Sequence, residues 1–210
     1  MSTRRIAVVS AGLSTPSSTR MLADRMLAAV ARELEARGVE VTAETFELRE
    51  HAHELTDRLL TGFAPPALAA VIDAVTSADA VVVVTPVFAS SYAGLFKSFI
   101  DVLDPDALRG TPVLIGATAG TPRHSLVIDY AIRPLFAYLH ADAVSTGVFA
   151  AASDWGSGDD EVAPLRERID KAARELADAI ARREPAGSDD PFAPSSFLDG
   201  GTSFEDLLRR

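Results

Sequence analysis

The sequence contains no cysteine, so it offers no disulfide framework, no thiol nucleophile and no thiolate metal site. No stretch approaches the roughly 18 apolar residues of a membrane-spanning helix, and the apolar part of the N-terminus is too short for a signal peptide. Acidic residues number 30 against 20 lysines and arginines, and the net charge of −10 argues against nucleic acid or an anionic membrane as the main partner. We therefore expect a soluble cytoplasmic protein.

The glycine-rich motifs of nucleotide-binding folds are missing as well. A dinucleotide-binding turn carries Gly-x-Gly-x-x-Gly, but the loop after the first predicted strand has only Gly12. A nucleoside triphosphate P-loop is excluded, because no Gly-x-x-x-x-Gly-Lys-Ser/Thr is present. Hydroxyl groups fill this loop instead, from Ser10, Ser14, Thr15, Ser17, Ser18 and Thr19. Together with the unpaired N–H groups of a helix start they suit a phosphate monoester, whereas in the simpler alternative Ser17 only caps the helix.

Apolar periodicity predicts five strands that alternate with helices. The predicted strands cover residues 4–10, 39–48, 78–85, 113–117 and 143–149, and the predicted helices cover about 18–37, 67–77, 92–103, 125–140 and 160–183. Pro134 is expected to bend or break the fourth helix. Residues 49–66 read as a loop, with a short helix as the alternative. This order predicts a three-layer α/β/α sandwich with a mostly parallel sheet, in either the Rossmann or the flavodoxin-like strand order.

The chain is predicted to form one domain over residues 1–183 and a C-terminal extension over 184–210. The extension is rich in Pro, Gly, Ser and Asp but also contains three phenylalanines, which are many for free disorder. We expect it to pack as a strap on the body or on a second subunit.

Two further loops follow predicted strands at the edge where open α/β sheets bind ligands. Pro86, Val87, Phe88 and Ala89 follow the run Ala80–Val84, and they offer no acid or base. Such a loop suits the face of a flat ring, although an ordinary connection has the same composition. Thr118, Ala119 and Gly120 form the other loop, whose small residues allow close approach of a ligand to the backbone.

These residues together resemble the flavodoxin-like NAD(P)H-dependent FMN reductase family, especially reductases that supply reduced flavin to two-component monooxygenases. The resemblance covers about residues 4–183 and rests on Ser10–Arg20, Thr85–Phe88, Ser91–Lys97 with Asp101, and Ala117–Gly120. Similarity to a sulfonate-linked branch is carried by His124, Asp129–Ala131, Pro134 and Gly147–Phe149. One departure is Phe88, which stands where the family usually has tyrosine.

The resemblance implies a five-stranded parallel sheet of order 2-1-3-4-5, with FMN as cofactor and NADH or NADPH as co-substrate. It implies phosphate contacts from Ser10, Ser17, Ser18 and Thr19. It further implies ring and ribityl contacts from Pro86, Val87, Phe88, Ala89, Thr118, Ala119 and Gly120. In such enzymes the hydride passes from nicotinamide to the flavin, so no side chain is expected to act as acid, base or nucleophile.

Two other functions stay open from the sequence. One is a quinone or azo reductase with tightly bound FMN, and the other is a non-catalytic electron carrier of the flavodoxin type. The resemblance also implies a subunit interface at the helix of Lys97 and Asp101, and hence a homodimer or homotetramer. No metal site is expected, because His51 and His53 lie in a polar segment without further histidines. Arg123 and His124 either meet a nicotinamide dinucleotide or merely cover the sheet edge.

Overall fold

Seven β-strands form one sheet in the computed structural model, which describes residues 3–155 and 164–183. They are β1 (Thr3–Ser10), β2 (Glu40–Glu47), β3 (Ala80–Phe88), β4 (Ser91–Tyr92), β5 (Pro112–Ala119), β6 (Asp142–Ala143) and β7 (Val148–Ala151). The main path runs β2-β1-β3-β5-β6, and every pairing along it is parallel. In addition, β7 pairs in parallel with β5, whereas β4 pairs antiparallel with the end of β3.

Six α-helices of the described residues cover the two faces of the sheet. They are α1 (Ser18–Glu35), α2 (Ala52–Thr61), α3 (Pro66–Thr76), α4 (Gly94–Asp101), α5 (Arg133–Tyr138) and α6 (Leu165–Arg182). Short 3-10 helices at Leu48–His51, Pro122–His124 and Ala152–Trp155 and a π-helix at Ile128–Ile132 lie in the connections. α1 and α6 pack on one face, and α2 to α5 pack on the other. The predicted α/β sandwich with its parallel sheet is confirmed.

The central strand β3 shows why this sheet is stable. Val81 and Val83 belong to the core on one face, whereas Val82 and Val84 belong to the core on the other. Alternate side chains of a strand point to opposite faces, so a continuous apolar run is buried on both sides. Each fully buried valine stabilises the fold by about 1.5–3 kcal/mol.

The predicted five strands in the order 2-1-3-4-5 are wrong, because two features add strands. Pro86 does not end β3: it stays in the ladder opposite Thr118, and the chain then turns back to form β4. The predicted strand at 143–149 is divided into β6 and β7. It is interrupted because the Thr146 N–H donates to the Glu175 carboxylate at 2.7 Å and so leaves the strand ladder.

The helical predictions differ from the structure at two places. Over residues 49–66 the structure has a ten-residue helix, α2, whose single buried residue is Leu55. One buried position over ten residues gives too weak an apolar period to predict a helix of this length. The helix predicted over 125–140 is instead a π-helix, Ile128–Ile132, that continues directly into α5, so the chain stays helical through Pro134 in the first turn of α5. The predictions for residues 184–210 lie outside the described residues.

The beginning of β1 and the end of α6 meet at the amino edge of the sheet. The side chain of Arg4 is 9% exposed, and its Nη1 lies 3.3 Å from Asp79 Oδ1. Arg4 Nη2 donates to the carbonyl oxygen of Arg183 at 2.7 Å. A desolvated ion pair of this kind stabilises the fold only when the remaining polar atoms of both side chains are also hydrogen-bonded. Here Asp79 Oδ2 accepts a further hydrogen bond from the Arg5 N–H at 2.7 Å.

No single helix of the described residues is both long and apolar enough to cross a membrane. A bent pair, Leu48–Thr61 with Pro66–Thr76, meets the length and composition criterion only when its members are joined across an 89° angle.

Candidate functional site

The three loops singled out in the sequence leave the same edge of the sheet. Ser10 pairs with Val84 between β1 and β3, and Pro86 pairs with Thr118 between β3 and β5. Since neighbouring strands are about 4.8 Å apart, these strand ends lie within the length of a small ligand. The structure therefore brings together the loop after β1, the end of β3 and the loop after β5.

Ser10, the last residue of β1, has an unusual environment. Its side chain is completely buried, and Ser10 Oγ has no hydrogen-bond partner among the described residues. A buried hydroxyl without a partner costs about 1–3 kcal/mol, so native proteins rarely retain one without a reason. This hydroxyl lies at the edge that carries the three loops, where a ligand atom can supply the missing partner.

Gly12 allows the loop after β1 to fold tightly against the start of α1. A Cβ atom on Gly12 would lie 2.1 Å from Ser17 Oγ and 3.1 Å from Thr19 Cβ. Only a residue without a side chain fits at this distance. Gly12 thus allows the side chains of Ser17 and Thr19 to lie close to the loop backbone. The repeated glycines of a dinucleotide-binding turn are not needed for this.

The hydroxyls at the start of α1 have different surroundings. Ser17 is the N-cap residue, and its Oγ accepts from the Arg20 N–H at 3.2 Å, as the capping alternative predicts. Ser18 is exposed. Thr19 is buried and shares a hydrogen bond with Thr118, with 2.9 Å between the two Oγ1 atoms. This bond joins the start of α1 to the end of β5, so two of the predicted groups of site residues contact each other directly.

The end of β3 forms a tight hairpin with β4. Phe88 and Ser91 are paired, and the two residues between them, Ala89 and Ser90, have φ angles of 47° and 65°. Positive φ at both central residues is the geometry of a two-residue hairpin turn, which normally selects Asn or Gly. The turn leaves Phe88 47% exposed at the edge of the sheet from which the three loops leave.

The base of this hairpin is held by a buried threonine. Thr85 Oγ1 accepts from the Ala93 N–H and donates to the Pro86 carbonyl oxygen, both at 3.1 Å. Thr85 is completely buried, so these bonds are shielded from water. The aromatic tip of the hairpin is thereby carried on a rigid base.

Residues of the loop after β5 become more exposed along the chain. Thr118 is buried, Ala119 is half-buried and Gly120 is exposed, with no atom within 4 Å of a Cβ built on it. Arg123 and His124 follow in a 3-10 helix, where Arg123 is exposed and His124 is half-buried. The open space around Gly120 allows a ligand to lie against the backbone.

A cluster of charged side chains that the sequence analysis did not find borders the loop after β1. Glu47, the last residue of β2, accepts from Arg20 Nη1 at 3.0 Å and from Arg49 Nη2 at 2.8 Å. Arg49 Nη1 donates to the Ser14 carbonyl oxygen at 3.0 Å and also to Thr15 Oγ1. The hydrogen bond with Asp24, together with the charges of Asp24 and Glu47, raises the pKa of Arg20 above its usual value.

The sequence contained one signal for this cluster. Glu47 lies near the end of the second predicted strand and Arg49 directly follows that strand, and β2 is the neighbour of β1 in the flavodoxin-like order. Its register sets Glu47 opposite Ser10.

Lys97 and Asp101 form an ion pair on α4. Lys97 Nζ lies 2.5 Å and 2.7 Å from the two carboxylate oxygens, and the side chains are 37% and 44% exposed. The hydrogen bond to Asp101 raises the pKa of Lys97 above its usual value. An exposed pair of this type contributes at most about 0.5 kcal/mol to the stability of the monomer.

In the histidine-containing segment that is predicted not to bind metal, His51 Nδ1 lies 2.7 Å from Glu54 Oε2.

None of the predicted site residues carries an ionisable side chain. The site offers hydroxyl groups, backbone N–H groups, small side chains and one exposed aromatic ring. This arrangement can bind and orient a phosphorylated ring compound, but it contains no candidate for proton abstraction or nucleophilic attack. Any redox chemistry at this edge must therefore come from a bound cofactor.

Comparison with known proteins places this chain among flavin reductases. Residues 4–156 match the family model of NADPH-dependent FMN reductases. The chain is 36% identical over 179 residues to an FMN reductase (NADPH) of Pseudomonas aeruginosa, covering 85% of this chain and 94% of that protein. It is 38% identical over 168 residues to the NADH-dependent FMN reductase SfnE of Pseudomonas putida, covering 80% and 88%.

Solved structures agree on the fold. An oxidoreductase from Corynebacterium diphtheriae superposes with a TM-score of 0.83 at 48% identity, covering 88% of this chain and 100% of that one. A WrbA-like flavodoxin protein from Agrobacterium tumefaciens superposes with a TM-score of 0.52 at 18% identity, covering 86% and 99%. The second similarity concerns the fold alone, and it is of the flavodoxin type.

Proposed function

This chain belongs to the NADPH-dependent FMN reductase family, and we propose that it transfers a hydride from NADH or NADPH to FMN. Family membership confirms the resemblance seen in the sequence. One observation carries the assignment of the site: the buried, unpartnered Ser10 Oγ lies at the edge shared by the three loops. Bound FMN would supply the redox chemistry, because its flavin ring accepts the hydride of the nicotinamide.

The residues after β1 fit the phosphate group of FMN. Ser10, Ser17, Ser18 and Thr19 supply hydroxyls, and the first turn of α1 supplies unpaired N–H groups with the positive end of the helix dipole. Two features support this assignment: the missing partner of Ser10, and the close packing of Ser17 against Gly12, which keeps the Ser17 hydroxyl next to the loop backbone. We therefore assign the phosphate to these hydroxyls.

The other two loops are assigned to the flavin ring and ribityl chain. We propose that the ring lies beside the hairpin residues Pro86, Val87, Phe88 and Ala89, with the small residues Thr118, Ala119 and Gly120 on its other side. The half-exposed Phe88 ring and the open space at Gly120 support this arrangement. The role of the protein in the reaction is to orient the flavin ring and to exclude water from it.

The biological setting is also a proposal. The sequence resemblance favours transfer of reduced flavin to a partner monooxygenase, and the availability of NADH and NADPH favours a cytoplasmic location. We propose a homodimer or homotetramer whose interface includes α4. The relatives include one enzyme named for NADPH and one named for NADH, so both nicotinamides are included in the test.

The test is the steady-state oxidation of NADH and NADPH by the purified full chain with free FMN. We expect turnover that depends on added FMN and saturates with it. No turnover with either nicotinamide, despite bound flavin, would contradict the reductase and indicate an electron carrier. Turnover that is independent of added FMN and faster with a quinone would indicate a quinone reductase with tightly bound FMN.

A further inference from the structure

The cluster of Arg20, Glu47 and Arg49 joins three elements around the loop after β1. Arg20 lies in the first turn of α1, Glu47 ends β2, and Arg49 lies in the 3-10 helix after β2. One carboxylate receives both guanidinium groups, with Glu47 Oε1 bound to Arg20 and Glu47 Oε2 bound to Arg49. Glu47 is only 15% exposed, so these ion pairs are less screened than ordinary surface pairs.

Arg49 extends this cluster to the outer part of the loop. Its Nη1 donates to the Ser14 carbonyl oxygen and to Thr15 Oγ1, while its Nη2 remains on Glu47. Residues 13–16 themselves are exposed and bury little apolar surface. With few packing contacts of their own, they depend on the hydrogen bonds from Arg49 for a fixed shape.

We propose that Arg49 is a positioning residue that holds the loop after β1 in the shape that receives the FMN phosphate. The proposal rests on the proposed function, but it concerns a residue that binds the loop and not the ligand. Arg49 acts on the phosphate through Ser14 and Thr15, which lead directly into the N-cap residue Ser17 and the first turn of α1. Because of Arg49, the affinity of the protein for a flavin should depend on whether that flavin carries the phosphate group.

The shape of the guanidinium group explains why arginine is needed here. Two separate nitrogens reach in two directions, one to the loop and one to Glu47. A lysine carries the same charge on a single nitrogen and cannot make both contacts in this geometry. Arg49→Lys therefore separates the positioning role from a simple electrostatic attraction to phosphate.

The experiment compares FMN with riboflavin, which lacks only the phosphate group. Dissociation constants of the full chain are measured from the quenching of flavin fluorescence, for the wild type, Arg49→Lys and Arg49→Ala. We expect both variants to bind FMN about tenfold more weakly, the effect of losing a charge-assisted hydrogen bond. Riboflavin affinity should change less than about twofold, because that ligand makes no use of the phosphate loop.

Two further variants keep this test decisive. Thr15→Ala removes one acceptor of Arg49 and should give a smaller loss of FMN affinity in the same direction, without adding to the loss in Arg49→Ala. Arg109→Lys changes an exposed arginine that is paired with Asp106 at the opposite edge, before β5, and should leave both affinities unchanged. Thermal melts without flavin show whether each variant is folded.

Three results would overturn the role of Arg49. Full FMN affinity in Arg49→Lys means that charge alone is sufficient, and equal losses for FMN and riboflavin mean that the arginine only stabilises the fold. Equal affinities of the wild type for FMN and riboflavin mean that the loop does not bind phosphate. A wild type that prefers FMN over riboflavin but oxidises neither nicotinamide contradicts the proposed reaction and leaves the binding role of Arg49 standing.

Discussion

At the scale of single residues, the hydroxyl of Ser10 should have opposite effects on stability and on binding. Ser10→Ala removes a buried group without a partner, so the ligand-free protein should gain about 1 kcal/mol in its free energy of unfolding. The same change should weaken FMN binding by about 10- to 100-fold, because a hydrogen bond to a charged group contributes about 1.5–3 kcal/mol. Denaturant unfolding and flavin titration measure the two effects.

A matched control for Ser10 is Thr111→Val, which changes a buried hydroxyl residue at the opposite edge of the sheet. Its FMN affinity should equal that of the wild type. If Ser10→Ala also binds FMN as the wild type does, the unpartnered hydroxyl is not part of the phosphate site.

The hairpin turn after β3 supplies a second test at this scale. Ala89 has a φ angle of 47°, which is unfavourable for any residue with a side chain. Ala89→Gly should therefore raise the free energy of unfolding by about 1 kcal/mol, partly offset by the larger entropy of glycine in the unfolded chain. Thermal unfolding measures the change, and Ala52→Gly, in a helix with αR backbone at that residue, should destabilise instead. A lower stability of Ala89→Gly would contradict strain at the turn.

Individual residues of the site differ in how well the sequence predicts them. The N-cap role of Ser17 is predictable, because serine before a helix typically accepts a hydrogen bond from an N–H of the first turn. Arg49 is not predictable, because its contacts with Ser14 and Thr15 depend on the adjacency of β1 and β2 and on the direction in which a long side chain points. The exposure of Phe88 is likewise a property of the turn at Ala89 and Ser90, where neither residue type indicates positive φ.

At the scale of elements, the alternating strands and helices are predicted well where the apolar period is strong. The buried runs of β1, β3 and β5 are of this type, and so is α6. β4 has two residues and no period of its own, because it exists only through pairing with β3. The division of the last predicted strand depends on the hydrogen bonds of Thr146 to Glu175, which are distant in sequence.

The helix α4 supplies a test of assembly. Lys97→Ala leaves the monomer almost as stable as before, since an exposed ion pair contributes at most about 0.5 kcal/mol. If α4 lies at a subunit interface, the variant should dissociate at a higher protein concentration than the wild type. Sedimentation over a range of concentrations measures this, and Arg109→Ala on another surface serves as the control. An unchanged mass at the lowest concentration would contradict the interface.

At the scale of the whole molecule, the net charge of −10 repels negatively charged ligands. FMN and both nicotinamide dinucleotides are anions, so long-range repulsion should slow their association. Salt screens this repulsion beyond about 10 Å at 0.1 M ionic strength, whereas the short contacts of the site are screened less. The association rate of FMN should therefore increase severalfold between about 0.01 M and 0.1 M salt.

Stopped-flow measurement of flavin fluorescence tests this expectation. Riboflavin carries no charge and serves as the matched ligand, whose association rate should not depend on salt. A rate for FMN that falls as salt is added would show that the arginines near the loop after β1 outweigh the overall charge.

The contact between Arg4 and the Arg183 carbonyl has a practical consequence. It holds the beginning of β1 close to the end of α6 at the amino edge of the sheet, while the three loops leave the carboxyl edge. Residues 4 and 183 are thus near enough for a short linker to join the beginning of β1 to the end of α6 in a circularly permuted chain that omits residues 184–210. An enzyme immobilised on an electrode through either of these positions would turn its three loops towards the solution.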